Sequence, residues 1–301
     1  PARRAAPGAA MDYYLSQLIN GICQGSIYAL MAIGYSVVVG VVGLVTFTHG
    51  EIIMTGAFAS YFAFQFFGNN LLWGVLASFA ASAFIGIFVY KVCYEQFFDA
   101  PRHISLLLTI GVSMLLRNLA QILIGPNAMP LLGIVENRFF GSGVVGLTLV
   151  QIIVIVTVIA FSLLLFLLLN RTRWGVMLRA VSQDKRAAAL MGIDVRATTL
   201  AGNCIGSGLG GIAGMLLAIY YQTLIATMGG SAGMKAFSSA VLGGLTDIPS
   251  AALGGLSLGV IENLGITFAS ASFRDIFAFI FLVLVLLIKP EGFARKRGVR
   301  P

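Results

Sequence analysis

The sequence predicts an all-α fold, a polytopic bundle of transmembrane helices. Hydrophobic residues make up 58% of the 301-residue chain, charged residues only 10%, and the mean hydropathy is +0.96, which lies far outside the range of soluble domains. Residues 147–169 carry no charge and, at about 1.5 Å of rise per helical residue, are long enough to cross a membrane. The strict alternation of a membrane β-barrel is missing, so helices must satisfy the backbone in lipid.

Successive apolar segments predict eight or nine crossings within a single domain, residues 11–301. Residues 1–10 are expected to be an N-terminal tail, either a cloning remnant or a misplaced start. Segments 52–67 and 236–245 are shorter than the roughly 17 to 25 residues of a straight crossing, so each is a candidate for a broken or re-entrant helix. The predicted segments are 17–39, 52–67, 71–90, 104–124, 147–169, 197–221, 236–245, 251–269 and 276–288.

Positive charge predicts the orientation, because short loops rich in Lys and Arg stay in the cytoplasm. Six of the 19 basic residues lie between 171 and 196, and five more lie after residue 288. Both segments are therefore predicted to be cytoplasmic, which places the C-terminus inside. The N-terminus would then be outside if 52–67 crosses, although Arg3 and Arg4 weigh against this. We expect the net charge of +8 to meet anionic lipid rather than nucleic acid.

The motifs of common enzymes and metal sites are missing from the sequence. It contains no GxxxxGK[ST] phosphate loop, and its only histidines, His49 and His103, lie in different segments. The three cysteines are scattered, so neither a disulfide framework nor a zinc site is predicted. An enzyme, a resident cofactor and a metal site are therefore not expected, and any ATP hydrolysis belongs to another chain.

Glycine inside the spans indicates close helix packing or helix breaks. Two overlapping GxxxG patterns at Gly206, Gly210 and Gly214 let helices approach closely, whereas breaks near the membrane midplane free backbone groups to bind a solute. The two interpretations are compatible. The sequence MTGAFAS at 54–60 resembles MKAFSS at 234–239, and each follows a glycine-containing break. This predicts two structural repeats, each contributing a discontinuous helix to a central path.

Charged residues at these two breaks are candidates for the path itself. His49 and Glu51 lie at the first break and Lys235 lies at the second. We hypothesise that Glu51 and Lys235 share one charge-compensated cluster; the alternative is that both lie at the interfaces and reach water. Two further charged residues, Arg117 and Glu262, are expected to be structural. Arg274 and Asp275 are expected to form a solvated external cap on the last span.

The basic loop at 170–196 contains a predicted helix. Ser182 and Asp184 are good helix-starting residues, the following Lys-Arg-Ala-Ala-Ala-Leu-Met run favours helix, and Gly192 ends it. A short helix with small residues on one side suits docking of a soluble partner. It also suits an amphipathic connection on lipid headgroups.

Five blocks in order resemble the H-type permease subunit of branched-chain amino acid ABC importers. The resemblance covers nearly the whole of 11–297 and implies a bacterial inner-membrane importer. The blocks begin NGICQGSIYALMAIGYS at 20–58, LLLTIGVSMLLRNLAQ at 106–126, RTRWGVMLRAVSQDKRAAALMGIDV at 171–195 and MKAFSSAVLGGLTDIPSAALGG at 234–262, and the last is KPEGFARK at 289–296.

The resemblance implies partners that the chain itself does not encode. These are a second permease, identical or different, two cytoplasmic ATPase subunits that bind ATP and Mg²⁺, and an extracytoplasmic solute-binding protein. Urea or short-amide import is an alternative, as is a secondary transporter without an ATPase. The candidate substrate-pathway residues are Thr46, Thr48, His49, Glu51, Thr227, Ser231 and Lys235. The candidate ATPase-coupling residues are Arg179, Asp184, Arg186, Ala188, Met191 and Gly192.

Overall fold

The computed structural model describes residues 7–97, 101–131, 133–135, 138–142, 145–268 and 273–289, and this part of the chain is a bundle of eleven α-helices. A π-helical turn, Tyr90–Glu95, continues the third helix. The helices are α1 Pro7–Val42, α2 His49–Phe67, α3 Leu71–Val89, α4 Arg102–Ile124, α5 Leu149–Arg171, α6 Arg173–Gln183, α7 Lys185–Leu190, α8 Val195–Tyr221, α9 Met228–Gly243, α10 Ile248–Phe268 and α11 Arg274–Ile288.

The predicted helical membrane bundle is confirmed, and each of the nine apolar segments coincides with a helix. Among the described residues, five helices are long and apolar enough to cross a membrane: Tyr13–Val42, Leu71–Glu95, His103–Ile124, Leu149–Arg171 and Val195–Tyr221. The predicted start of segment 236–245 is wrong. Helix α9 begins at Met228 because the glycine-rich run before residue 236 is helical. The predicted tail continues into α1 from Pro7, and residues 1–6 and 290–301 lie outside the described residues.

Glycine allows α1 and α8 to cross in contact at the centre of the bundle. A Cβ on Gly206 would lie 2.6 Å from the carbonyl oxygen of Gly34 on α1. Helix α2 approaches α8 as closely, since a Cβ on Gly214 would lie 2.0 Å from the carbonyl oxygen of Ile53. Both α1 and α8 are buried over most of their length, whereas α4 and α5 are largely exposed. The GxxxG pattern therefore serves close packing, as the sequence predicts.

Helices α1–α3 and α8–α10 form two repeats of opposite direction. Helix α1 packs along α10, and in the same way α8 packs along α3. Helix α2 contacts α3, and in the same way α9 contacts α10. Helices α2 and α9 also contact each other. If α1, α2 and α3 are exchanged with α8, α9 and α10, the same set of helix contacts results. The end of α1 and the start of α8 both lie beside α6 and α7, where Val41 packs with Leu178 and Val195. We call this the α7 end of the bundle.

Helices α2 and α9 begin inside the bundle rather than at its ends. Residues 43–48 return from the α7 end, and His49 then lies against Gly210, near the middle of α8. Residues 222–227 return from the opposite end, and Gly229 lies against Glu51. The predicted discontinuous helices are therefore present, one in each repeat, and their first turns meet at mid-height.

The described part of the chain has four short strands, which lie toward the end opposite α7. Strand β1, Met129–Pro130, pairs antiparallel with β4, Thr223–Leu224, and so ties the connection after α4 to the connection after α8. Strands β2, Phe139–Ser142, and β3, Val145–Thr148, pair with each other ahead of α5. The first pair joins the connection that follows α4 to the connection that precedes α9.

Candidate functional site

A cavity of about 490 Å³ lies where the first turns of α2 and α9 face α4. This volume is in the range of small-molecule sites. Backbone from three glycines of α9 forms one wall, and apolar side chains form much of the rest. The side chains and glycines that line it include Thr46, Phe47, His49, Gly50, Glu51, Ile110, Ser113, Met114, Arg117, Gly229, Gly230, Gly233, Met234 and Phe237.

Glycine brings the two helix starts into backbone contact beside this cavity. A Cβ on Gly50 would lie 2.1 Å from the carbonyl oxygen of Gly229, and one on Gly233 would lie 2.8 Å from the Cα of Gly50. The first turns of both helices therefore border the same space. Their free N–H groups and positive dipole ends favour a negatively charged group there.

An ion pair joins α2 to α4 across the cavity wall. The Arg117 guanidinium donates from Nε at 3.0 Å and from Nη2 at 2.6 Å to Glu51 Oε1, and the Ser113 hydroxyl donates to the same oxygen at 3.3 Å. Glu51 is 1% exposed and Arg117 37%. The other carboxylate oxygen, Glu51 Oε2, is buried without a hydrogen-bond partner among the described residues. The cavity wall thus contains a partly accessible guanidinium and, buried beside Gly229, a carboxylate oxygen without a hydrogen-bond partner.

His49 is the second buried polar side chain of the α2 start. Its ring lies edge-on to Tyr35, with centroids 5.3 Å apart, and neither ring nitrogen makes a standard hydrogen bond within the described part of the chain. Burial of such a group is costly unless another partner satisfies it. His49 lines the cavity with both ring nitrogens buried, and the backbone of Met31 lies within reach of the ring.

Thr46 and Thr48 order the chain that enters α2. The hydroxyl of Tyr35 donates to the carbonyl oxygen of Thr46 at 3.2 Å and accepts from its N–H at 3.3 Å. The two threonine hydroxyls lie 2.8 Å apart. Thr46 lines the cavity, whereas Thr48 is buried behind it as the residue preceding α2.

The remaining three pathway candidates lie away from this cavity. Thr227 precedes α9 and is exposed. Ser231 is also exposed and donates to the carbonyl oxygen of Met228 at 3.1 Å. Lys235 lies on the face of α9 that turns toward α1, α10 and α11. The structure therefore brings Thr46, His49 and Glu51 together, with Thr48 behind them, and does not bring the α9 candidates to the same space.

Lys235 belongs to a separate buried polar cluster. Its ammonium lies 2.9 Å from Glu262 Oε1 and 3.0 Å from Asp275 Oδ1, and it donates to the Tyr28 hydroxyl at 3.0 Å. Glu262 is completely buried. The predicted Glu51–Lys235 cluster is therefore wrong, because each of the two residues has its own partner on other helices.

The charges assigned earlier to structural and capping roles take part in these two clusters. Arg117 supplies the partner of Glu51, and Arg274 Nε lies 3.4 Å from Glu262 Oε1. Asp275, expected to form a solvated cap, also bonds Lys235 although it is 58% exposed. Helix α11 is thereby joined to α9 and α10.

The predicted helix of the basic loop is confirmed as α7. Asp184 Oδ1 accepts from the N–H groups of Arg186 at 2.8 Å and Ala187 at 3.1 Å, and Gly192 follows the helix with a φ of 81°. Both are the end signals that the sequence contains. Arg179 on the preceding α6 donates to Asn170 Oδ1 at 2.7 Å and so ties α6 to the end of α5.

One face of α7 is inserted in the bundle and the other is free. Ala188 is 4% exposed and packs with Val41 and Leu178, so its predicted place on a docking surface is wrong. Leu190 and Met191 are 89% and 82% exposed. The exposed apolar side chains at this end of α7 are therefore Leu190 and Met191, not Ala188.

The cavity residues of α4 were missed by sequence reasoning. Ile110, Ser113, Met114 and Arg117 are spaced three and four residues apart, so they share one helical face. That periodic face, with Ser113 and Arg117 at two of its four positions, was the available signal. Arg117 was noted as a charge, but the partner that gives it a role is on α2.

The chain matches the family described as "branched-chain amino acid transport system / permease component" over residues 17–286. The high-affinity branched-chain amino acid transport system permease protein LivH of Salmonella typhimurium is 34% identical, with 93% of this chain and 95% of LivH covered. LivH of Escherichia coli is 33% identical over the same shares. BraD of Pseudomonas aeruginosa, also a permease protein of such a system, is 36% identical over 93% of this chain and 95% of BraD. No solved structure matches the chain.

Proposed function

Because the chain belongs to the branched-chain amino acid transport system permease family, we propose that it forms the membrane path of an ABC importer for leucine, isoleucine and valine. ATP hydrolysis is assigned to partner chains, which bind the nucleotide and Mg²⁺. The observation that carries the proposal is the cavity at the meeting point of α2 and α9, with the Glu51–Arg117 pair in its wall.

The chemistry of this wall suits a zwitterion with an aliphatic side chain. The free oxygen of Glu51 can accept from an ammonium, and Arg117, with five N–H donors, can bond a carboxylate while it still bonds Glu51. The helix starts at Gly50 and Gly229 add positive potential for the same carboxylate. Phe47 and Phe237 offer apolar surface. Neutral urea would use neither charge, so the ion pair favours an amino acid.

A permease needs only a transient site, because tight capture is the task of an external solute-binding protein. Two further partners are proposed, a second permease chain, identical or different, and a pair of ATPase chains. The exposed apolar surface of Leu190 and Met191 is proposed as the ATPase contact, with Arg186 and the α6 residue Arg179 on the same exposed hairpin. We accordingly propose that the α7 end and the C-terminus face the cytoplasm.

The test is uptake into proteoliposomes that contain this chain, its co-expressed permease and ATPase chains and the solute-binding protein. Leucine and valine uptake is expected to require ATP, and urea uptake is expected to be absent. Glu51→Gln and Arg117→Met should each lower leucine uptake about tenfold or more, the effect of losing one charge-assisted bond. Lys91→Met removes an exposed charge outside the cavity and should leave uptake unchanged.

Two results would count against this function. Leucine uptake that persists without the ATPase chains would identify a secondary transporter. ATP-dependent uptake of urea in preference to leucine would move the chain to a different solute class. Unchanged leucine uptake in both cavity variants would remove the Glu51–Arg117 pair from the path while leaving the importer intact.

A further inference from the structure

Lys185 joins α7 to the last residue of α1. Its ammonium donates a hydrogen bond to the carbonyl oxygen of Val42 at 2.6 Å. The C-terminal carbonyls of a helix are short of partners and carry the negative end of the dipole, so a cation at this place is held by a hydrogen bond and by the helix field. Gly43 follows with a φ of 79° and turns the chain away from α1.

A second contact of α7 with α1 lies beside the first. Ala188, one turn after Lys185, lies in the same buried apolar cluster as Val41, together with Leu178 and Val181. The polar contact and the apolar contact therefore hold consecutive residues at the end of α1. Displacement of α7 acts on α1 at the residue where its regular helix ends.

The chain beyond this point leads directly into the cavity wall. Thr46 is held at both its N–H and its carbonyl oxygen by Tyr35, and the N–H of Phe47 donates to Thr109 Oγ1 on α4 at 3.5 Å. Thr46 and Phe47 line the cavity. Only residues 43–45 separate the Lys185 contact from these two residues.

Other connections of α7 are less suited to change the cavity. Residues 191–194 lead into α8, but α8 is continuous from Val195 to Tyr221 and is packed over most of its length. A continuous buried helix moves as a body, since packed cores resist local deformation. The segment 43–48 lacks regular helix, so its backbone dihedrals can change at the cavity itself.

We propose that Lys185 is the positioning residue that transmits movement of α7 to the cavity wall at Thr46 and Phe47. The proposal rests on the proposed function, in which a partner ATPase moves α7. The Lys185 ammonium holds the Val42 carbonyl, and a shift of α7 carries the start of segment 43–48 with it. Phe47 then changes position relative to α4. The side chain acts on the polypeptide and does not itself contact the solute.

The experiment compares Lys185→Met with Lys185→Arg in the complete complex in proteoliposomes. Methionine keeps an apolar stem and loses the donor, whereas arginine keeps a charged donor. Three quantities are measured: the amount of ATPase that copurifies, the rate of ATP hydrolysis, and leucine uptake. Lys91→Met is the matched control, because it removes the same charge from an exposed position outside α7.

For Lys185→Met we expect normal copurification and continued ATP hydrolysis, but leucine uptake per ATP lowered about tenfold, the factor for one lost charge-assisted hydrogen bond. Lys185→Arg should keep most of the native leucine uptake per ATP. If Lys185→Met took up as much leucine per ATP as the native complex, the proposal would be overturned. Loss of ATPase copurification would also overturn it, by making Lys185 a docking residue.

The two hypotheses fail in different ways. If the native complex shows no ATP-dependent leucine uptake, the proposed function is wrong, whatever the Lys185 variants do. If the native complex transports and Lys185→Met does not reach the membrane, Lys185→Gln takes its place. Glutamine keeps a shorter, uncharged donor, and its uptake per ATP is expected to lie below that of Lys185→Arg. Equal leucine uptake per ATP in Lys185→Gln and Lys185→Arg would refute the proposal that Lys185 transmits the movement of α7.

Discussion

Replacing Gly50 by alanine tests whether the contact between α2 and α9 is as close as described. The added Cβ would lie 2.1 Å from the Gly229 carbonyl oxygen and 2.9 Å from the Cα of Gly233. Both are backbone atoms, so no side chain can turn aside and the helices must separate by roughly 1 Å. Such overpacking costs about 3 kcal/mol, and the better helix propensity of alanine returns about 1 kcal/mol.

The expected net loss is therefore about 2 kcal/mol, which corresponds to an apparent melting temperature lower by roughly 5 °C. Thermal unfolding of the detergent-solubilised chain measures this shift. Gly111→Ala is the matched control, because nothing lies within 4 Å of its added Cβ and its helix should gain up to about 1 kcal/mol. If Gly50→Ala melted as high as Gly111→Ala, the described backbone contact would be refuted.

Four further substitutions test other parts of the bundle. Lys235→Met leaves the buried Glu262 carboxylate without its ammonium and should destabilise the protein by about 3 kcal/mol. Asp275→Asn, at the exposed end of the same cluster, should cost less than about 1 kcal/mol, and equal melting temperatures for the two variants would argue against the cluster. Ala188→Leu should lower the melting temperature through about 2 kcal/mol of overpacking, measured by the same unfolding assay. Leu190→Glu should melt like the native chain but prevent ATPase copurification in a pull-down, and unchanged copurification would exclude Leu190 from the docking surface.

Local signals in the sequence were sufficient for α7 and for the membrane helices. Asp184 and Gly192 act on their own neighbours, through a side-chain cap and a left-handed turn, and both are recognisable without knowledge of the fold. Long apolar segments are equally local, since a helix in lipid satisfies its own backbone. The discontinuous helices were also foreseeable, because glycine and charge interrupt two apolar segments.

The pairing of charges required the three-dimensional arrangement. In the sequence, Glu51 and Lys235 each precede an apolar segment, which favours a shared cluster, but Glu51 is in the first turn of α2 whereas Lys235 is two turns into α9. In the structure Glu51 bonds Arg117 on α4, whereas Lys235 bonds Glu262 on α10. The expectation that Ala188 lies on an open surface likewise rests only on its small size and its neighbours in the sequence. Its burial depends on Val41, far away in the chain.

The interlocking of the two helix triplets has a consequence for how the protein is made. Helix α1 packs along α10, and Gln24 on α1 bonds both Glu262 and Asn263, which are separated from it by more than 200 residues. When the ribosome has completed only the first triplet, the polar side chains of Gln24, His49 and Glu51 lack the helices that later cover them. Exposure of such groups to lipid is costly, and the partners of Gln24 are supplied only when α10 has been made. Assembly of this bundle is therefore completed late, after nearly the whole chain has been synthesised.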